Sequence, residues 1–393
     1  MSLLALPNLV NTEIDDGRFE LIKLLGAGTH GMVYKAIDHS ASPDRCTSPP
    51  RLVAVKCMRR SPAGSRSEAS VVNELRTHHA VRSGRHITGF FRSFRTAQHV
   101  FAVVELSACD LFEAMIERKV FRGQLGRAKR AMSEILDGVE YLHDRGVFHR
   151  DLKPENILCD LDGSNIRVCD FGLATTDVVS NEFGFGTHFY MSPEILDPDL
   201  ACGTYSPRSN DLWACSILLL VLVTGKLPWG AAHSDDRHFA RFSGDPDGYL
   251  RTKLRLVDPA TALFRACFER DPELRPTLHE FRLHVQQIDV FVVDAVAAFS
   301  APAAVPVVPP KAPSDSDSSS CSDDSSSLLA SASSATTQSS VDSTAPTTPP
   351  KLQMVSVAAH ARPTLPTVKG YLIWLADKRR DAQSCASAVP QYL

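Results

Sequence analysis

The stretch HRDLKPEN, His149–Asn156, sets three basic-capable side chains, two carboxylates, an asparagine and a proline within eight positions. A charged octapeptide of this kind after a helix is by base rate a surface loop held out in water. Upstream, RAKRAMSEILDGVEYLH places Ala128, Met132, Ile135, Leu136, Val139 and Leu142 on one helical face, and Gly146 stands where a helix-ending glycine belongs. Downstream, ILCD and IRVCD flank LDGSN, a pattern that predicts a short hairpin. Whether the octapeptide faces water or a reaction centre depends on partners elsewhere in the chain.

Residues 18 to 106 read as strands with one helix. FELIKLLGAG, GMVYKAID, LVAVKCM and HVFAVVEL are rich in valine, isoleucine and aromatics, while SEASVVNELRTHHAV suits a helix. A glycine turn joins the first two strands, and the proline-rich SASPDRCTSPP separates the second from the third. From 107 to 288 the helical period takes over, with further helices predicted in SNDLWACSILLLVLVTG, ATALFRACFER and LHEFRLHVQQI. The expected fold is α+β in two lobes: a small antiparallel sheet with one helix over 18–106, and a larger, mainly helical lobe over 107–288. Residues 1–17 form an N-terminal extension. Residues 289–393 read as a low-complexity tail, predicted to be mostly disordered because APAAVPVVPPKAPSDSDSSS and its continuation lack the periodic apolar residues that offset chain entropy. KGYLIWLADKRR near the end is a short apolar island with basic flanks, compatible with a docking motif, a transient helix or a chain end without function.

Bulk properties exclude several classes. A net charge of −3 over 393 residues gives no electrostatic case for nucleic-acid or membrane-surface binding. The 10 cysteines show no CxxC pair and no Cys/His ligand spacing, and read as reduced, packed thiols of a cytoplasmic or nuclear protein. The N-terminus lacks a basic n-region and is broken by Pro7, so no secretory signal is expected. The longest apolar run, Ile217 to Val223, falls far short of the ~18 residues of a membrane span and predicts a buried helix. A monomer is expected.

Three further motifs give the octapeptide its partners. GAGTHGMV, Gly26 to Val33, has the spacing G-x-G-x-x-G-x-V: Gly26, Gly28 and Gly31, with Ala27 between the first two, let backbone amides approach phosphate oxygens, and Val33 would cap an adenine. A dinucleotide site shares the first six positions but opens a helix, whereas this segment runs from strand to strand. VAVK, Val53 to Lys56, carries a lysine on an apolar strand. A buried ammonium needs an acid and a phosphate-like ligand, and Glu74 on the following helix is the expected acid, ahead of Glu68 on the same helix; otherwise the lysine snorkels at a strand edge. Asp151 can accept a proton from an attacking hydroxyl, Lys153 can neutralise charge on a transferred phosphoryl group, and Asn156 with Asp170 of DFG offers oxygen ligands to magnesium. Each charge of the octapeptide thus has a separate task around one phosphate.

In this order GxGxxGxV, VAVK, HRDLKPEN, DFG and FYMSPE resemble the eukaryotic protein kinases over residues 18 to 288. GTHFYMSPE and SNDLWACSILLLVLVTGKLPW are most similar to fungal Ser/Thr kinases of nutrient response and meiosis. The resemblance implies transfer of the γ-phosphoryl group of Mg-ATP to protein Ser/Thr hydroxyls. It implies that Glu194 pairs with Arg275, that Asp211 hydrogen-bonds the catalytic-loop backbone, and that His149 and Phe171, followed by Gly172, link the lobes. It places the adenine against Ala54, the backbone of Glu105 and Ser107, Val104 as gatekeeper and Leu158 as floor, with Asp110 near the ribose. Lys153 and Thr187 of GTHFY are the Ser/Thr pattern, the threonine hydroxyl bridging Asp151 and Lys153. Asp110 and Glu155 sit where related kinases attract an arginine upstream of the phosphorylated residue, or are merely solvated acids at the cleft mouth.

The chain departs from the pattern at Ser192, His30 and His78. The two histidines could loosen the interface between the lobes or make it sensitive to pH. Arg150, beside the catalytic aspartate, calls for an anion. Where a phosphorylated threonine usually stands the sequence has Phe183, and the adjacent Glu182 is expected to replace the phosphate, ahead of Thr175, Thr176 and Ser180 as modification sites. The serine run SDSDSSSCSDDSSS and TPPK at Thr348 to Lys351 suit tail phosphorylation or match by chance. The rival readings are a pseudokinase scaffold, opposed by the presence of Lys56, Asp151, Asn156 and Asp170, and an interaction protein driven by its tail.

Overall fold

The computed structural model describes residues 8–28, 31–41 and 50–293. His30, the two tail phosphorylation motifs, the apolar island and nearly all of the expected tail lie outside them.

The first sheet contains β1 (Thr12–Ile14), β2 (Phe19–Gly28), β3 (Gly31–Asp38), β4 (Arg51–Arg59), β5 (Phe90–Arg95) and β6 (His99–Val104). Its order is β1-β2-β3-β4-β6-β5, with every neighbouring pair antiparallel. Helix α1 (Arg66–Val81) lies between β4 and β5 in sequence. The alternation of β4 assigns its side chains: Val53, Val55 and Cys57 enter a core with Phe19, Leu21, Tyr34, Phe101 and Val103, so Ala54, Lys56 and Met58 face the other way. On that side Met58, Phe90 and Ala102 pack against Val71 and Leu75 of α1. The lysine therefore sits on the face that meets the helix.

The larger lobe runs through β7 (Cys109–Asp110), a π-helical turn at Glu113–Glu117, α2 (Leu125–His143), β8 (Ile157–Cys159) and β9 (Arg167–Val168). It continues with α3 (Pro193–Leu196), α4 (Pro207–Thr224), α5 (Arg237–Gly244), α6 (Pro246–Lys253), α7 (Asp258–Cys267) and α8 (Leu278–Gln287). The six apolar positions expected on one face of α2 are all buried. Gly146 follows the end of α2 with φ 66, a left-handed turn that glycine adopts without strain. The expected hairpin is β8 and β9, and β7 adds a third antiparallel strand. Helix α4 is buried on all sides from Asn210 to Leu222, as its uninterrupted apolar run predicts. None of the helices described is long and apolar enough to cross a membrane.

The packing extends past both edges expected for the domain. β1 pairs with β2 inside the segment read as an extension, because three residues are too few to show a period of two. Beyond residue 288, Phe291 is 1% exposed, its carbonyl accepts from Val257 N, and Val293 N donates to Arg255 O. Helices α5 and α6 escaped the sequence reading. Each is eight residues long and starts on an aspartate side chain, Asp236 or Asp245, that accepts backbone N–H groups.

Candidate active site

Lys56 Nζ lies 2.5 Å from Glu74 Oε1 and 2.9 Å from Asp170 Oδ1. Burial alone would push this ammonium down, but Asp170 and Glu74 override it and hold the lysine protonated, above its ordinary value. The choice between two acids on α1 is settled by helix chemistry. Glu68 Oε2 accepts from Gly64 N at 2.6 Å while Ser65 caps Glu68 N, so Glu68 serves the start of the helix. Glu74 lies on its buried face. Gly172 keeps room for the pair, since a Cβ there would stand 3.3 Å from Glu74 Oε2.

In the octapeptide, Asp151 gathers donors on both oxygens. Thr187 Oγ1 donates to Oδ1 at 2.8 Å, and Lys153 Nζ and Asn156 Nδ2 donate to Oδ2 at 2.7 and 3.1 Å. Lys153 Nζ also reaches Thr187 Oγ1 at 3.0 Å, so the threonine bridges the two as expected. Asn156 donates further to Asp151 O at 2.8 Å, which leaves its amide oxygen to act as an acceptor. The loop hangs on Asp211: His149 N and Arg150 N each donate to its carboxylate at 2.8 Å, and His143 Nε2 lies 2.9 Å from Oδ2. Arg150 and Asp170 have φ of 66 and 63, a left-handed backbone that is uncommon for such residues and collects at functional sites.

The segment after DFG is fixed by two ion pairs. Arg150 Nη1 meets Glu182 Oε2 at 2.9 Å, and Arg150 Nε donates to Leu173 O at 2.6 Å. Glu182 is thus the anion facing this arginine, and Phe183 packs on Tyr205 instead. Arg275 grips Glu194 through both terminal nitrogens at 2.6 and 2.8 Å. Ser192 costs nothing as a departure, since its N and Oγ both donate to Asn210 Oδ1 at 3.1 Å.

On the opposite wall, a Cβ at Gly26 or Gly28 would meet nothing within 4 Å. Gly31 has a different reason to be glycine: its φ is 137 and a Cβ would overlap the Cys57 carbonyl oxygen of β4. Strand packing therefore explains the third glycine, whereas nothing among the described residues crowds the first two. Ala27 pairs with Met32, Val33 with Lys56, and Ala54 with Val104, which ends β6. Glu105 N donates to Gly89 O, and its carboxylate pairs with Arg167 at 3.0 Å. Ser107 Oγ is buried without a hydrogen-bond partner among the described residues. Asp110 faces Leu158 across β7 and β8, and its Oδ1 accepts from Glu113 N at 2.9 Å, so it also caps the π-helical turn.

Phe171 lies between two histidines, with ring centroids 4.9 Å from His78 and 5.5 Å from His149. His149 Nε2 lies 2.9 Å from Cys169 O. Several contributors escaped the sequence reading. Asn73 Nδ2 donates to Ala174 O at 2.9 Å, tying α1 to the segment after DFG. Arg66 reaches Glu182 at 3.6 Å. Gly186, with φ 121, lies where a Cβ would stand 2.9 Å from Arg150 O. The glycine just before Thr187 was a readable signal; Arg66 and Asn73 look like ordinary polar positions of an exposed helix face.

The protein kinase domain family model matches residues 19–285. Among known proteins, the chain is 30% identical over 294 residues to "Negative regulator of sexual conjugation and meiosis" of Schizosaccharomyces pombe, covering 70% of this chain and 61% of that protein. It is 32% identical over 265 residues to "Serine/threonine-protein kinase ksp1" of the same organism, covering 65% and 54%. A third relative, "Sucrose non-fermenting protein kinase 1" of Fusarium virguliforme, is 29% identical over 276 residues, 70% of this chain and 37% of that protein. The chain thus spans less than two thirds of the length of each.

Proposed function

The chain belongs to the protein kinase family, in its serine/threonine branch, and from that premise we propose that it transfers the γ-phosphoryl group of ATP to serine and threonine hydroxyls of proteins. The observation that supports this best is the triple contact of Lys56, Glu74 and Asp170, a cation from the small lobe held between acids of both lobes.

ATP would lie between the lobes. Gly26, Gly28 and Lys56 would hold its phosphates, Val33, Ala54 and Leu158 its base, and the Glu105 and Ser107 backbone its adenine edge. The orphaned Ser107 Oγ and the open space over Gly26 and Gly28 fit a polar ligand there. Asn156 and Asp170 would hold magnesium, and their oxygen donors suit a hard cation. Bound magnesium would neutralise phosphate charge during transfer. Asp151 Oδ1 orients the incoming hydroxyl and takes its proton as oxygen attacks phosphorus and ADP leaves. Lys153 Nζ, 2.7 Å from Asp151, offsets charge growing on the transferred group. Thr187 fixes both side chains. Arg275 and Glu194 hold the segment that presents Thr187.

The finer readings follow from the same site. Asp110 and Glu155 favour substrates with basic residues upstream of the acceptor. Glu182 keeps the segment ordered without loop phosphorylation. We place the protein as a monomer in the cytoplasm or nucleus, in intracellular signalling. A radiolabel transfer assay on a basic protein tests the reading, with wild type beside Asp151→Asn. Transfer by wild type alone supports it; equal, negligible signal from both overturns it and leaves a scaffold.

A further inference from the structure

The large lobe carries a groove of about 610 Å³ between the segment after DFG, the loop joining α3 to α4 and the turn joining α7 to α8. One side is apolar: Val179, 59% exposed, stands with Leu200, Ala201 and Cys202. The other is acidic: Glu269, Asp271 and Glu273 surround a single base, Arg270. None of these three carboxylates forms an ion pair among the described residues, and Glu194, the remaining acid of the groove, is engaged by Arg275. The groove thus joins exposed apolar surface to uncompensated negative charge, which suits a ligand both apolar and basic.

Tyr205, which also lines the groove, connects it to the site. Ser180 and Tyr205 exchange backbone hydrogen bonds, each of 2.9 Å, and the Tyr205 hydroxyl donates to Glu182 O at 3.2 Å and accepts from Arg150 Nη1 at 3.5 Å. A ligand in the groove therefore rests against the segment that sets Glu182 opposite Arg150. The chain itself contains matching chemistry. KGYLIWLADKRR, residues 369–380, runs Tyr371, Leu372, Ile373, Trp374 and Leu375 without interruption, with Lys369 before them and Lys378, Arg379 and Arg380 after, against one acid, Asp377. No equally long run of large apolar residues occurs elsewhere beyond residue 300. Residues 294–368 link it to the large lobe, and a chain of that length spans on the order of 45 Å even as a coil, enough to bring it to this face.

We propose that the groove beside Val179 and Tyr205 is the docking site for residues 369–380 of the same chain, the apolar run covering Val179 and Leu200 and the basic flanks meeting Glu269, Asp271 and Glu273. Both halves of the match are needed: apolar contact supplies most of the affinity, and opposite charge selects this segment over the serine-rich sequence before it. Tethering makes the docking intramolecular, so a weak contact suffices to hold it. Through Tyr205 the docked segment steadies residues 178–183.

The test reads hydrogen exchange in the full chain over residues 178–183, 200–206 and 269–274, with α4 as internal reference. Wild type is compared with Leu372→Asp/Trp374→Asp, which alters only the tail segment, and with Glu269→Lys/Glu273→Lys. Each variant exchanges about fivefold or more faster than wild type over the groove, with α4 unchanged. Adding Lys378→Glu/Arg379→Glu/Arg380→Glu to the groove variant restores slow exchange, as does free peptide 365–393 added to the tail variant. Equal exchange in wild type and the tail variant overturns the proposal, as does a charge-swapped chain that stays loose. Carbodiimide cross-linking of wild type identifies the source: Lys369 or Lys378 joined to Glu269, Asp271 or Glu273 within one chain supports it, and links found only between two chains overturn docking in the same chain. If Glu269→Lys/Glu273→Lys loosens α4 as well, that variant is unfolded and the tail variant decides alone. No arm requires phosphoryl transfer, so a chain that transfers no phosphate leaves the docking result standing.

Discussion

Arg150 and Glu182 stand 32 residues apart in the chain and meet at 2.9 Å, the guanidinium 7% exposed and the carboxylate 45%. A buried guanidinium next to Asp151 needs a fixed anion, and here the chain supplies one of its own. Glu182→Ala should lower kcat about tenfold or more while unfolding free energy changes by no more than about 1 kcal/mol, because the exposed half of the pair is screened. Wild-type enzyme treated with phosphatase should keep its activity. Loss of activity, with the lost phosphate mapped to Thr175, Thr176 or Ser180, would remove Glu182 from this role.

Lys56 touches two acids, and the acids are not equivalent. Asp170 would also hold metal, a part not proposed for Glu74. Lys56→Met and Asp151→Asn should each cost about a hundredfold or more in kcat. Glu74→Gln keeps a hydrogen-bond acceptor for the ammonium and should cost less. Single-turnover assays on the three variants give the order, and a Glu74→Gln defect as deep as that of Lys56→Met would contradict it.

The motifs carried the site because each chemical task is bound to one residue type at one spacing. Lys56, Asp151, Lys153, Asn156, Asp170 and Thr187 were readable for that reason, and the structure joins Lys56 to Asp170, and Asp151 to Lys153, Asn156 and Thr187. Glu74 is the acid the sequence put ahead of Glu68, and the structure pairs it with Lys56 while Glu68 turns to the helix start. Gly31 was readable as glycine but not for its cause, the nearness of the Cys57 carbonyl on the next strand. Arg66 and Asn73 were hidden because a polar residue on a helix looks the same whether it faces water or another segment. β1 and the packing at Phe291 were missed because short edge pairings leave no periodic trace.

The pair of Glu194 and Arg275 is buried, 4% and 0% exposed at the side chain, and doubly hydrogen-bonded. Removing one member leaves an uncompensated buried charge. Arg275→Ala should destabilise the large lobe by about 3–5 kcal/mol. Arg275→Lys keeps the charge but loses the two-pronged fit and the stacking 4.8 Å over Trp213, so it should recover only part of that. Denaturant titration at neutral pH gives both numbers, and a lysine variant as stable as wild type would show that charge alone suffices.

His78 gives the fold a dependence on acid. Its pKa is about 4 in the folded chain against an ordinary 6.5, and the ring is 8% exposed. The charged groups near it are Lys56 of β4, Asp170 beside Phe171, and Glu74 one turn back. Because the folded value is lowered, the unfolded chain takes up a proton first as pH falls. The contribution is therefore complete above about pH 7.5 and declines through 6.5 toward 4, a loss of about 2 kcal/mol by pH 5 from this group. His78→Leu removes the titrating group, so its unfolding free energy should fall less steeply than wild type between pH 7.5 and 5 even where its absolute stability at pH 7.5 is lower. Parallel curves for the two proteins would mean that the ring titrates alike in the folded and unfolded chain, which would contradict a neutral imidazole held between Phe90 and Phe171.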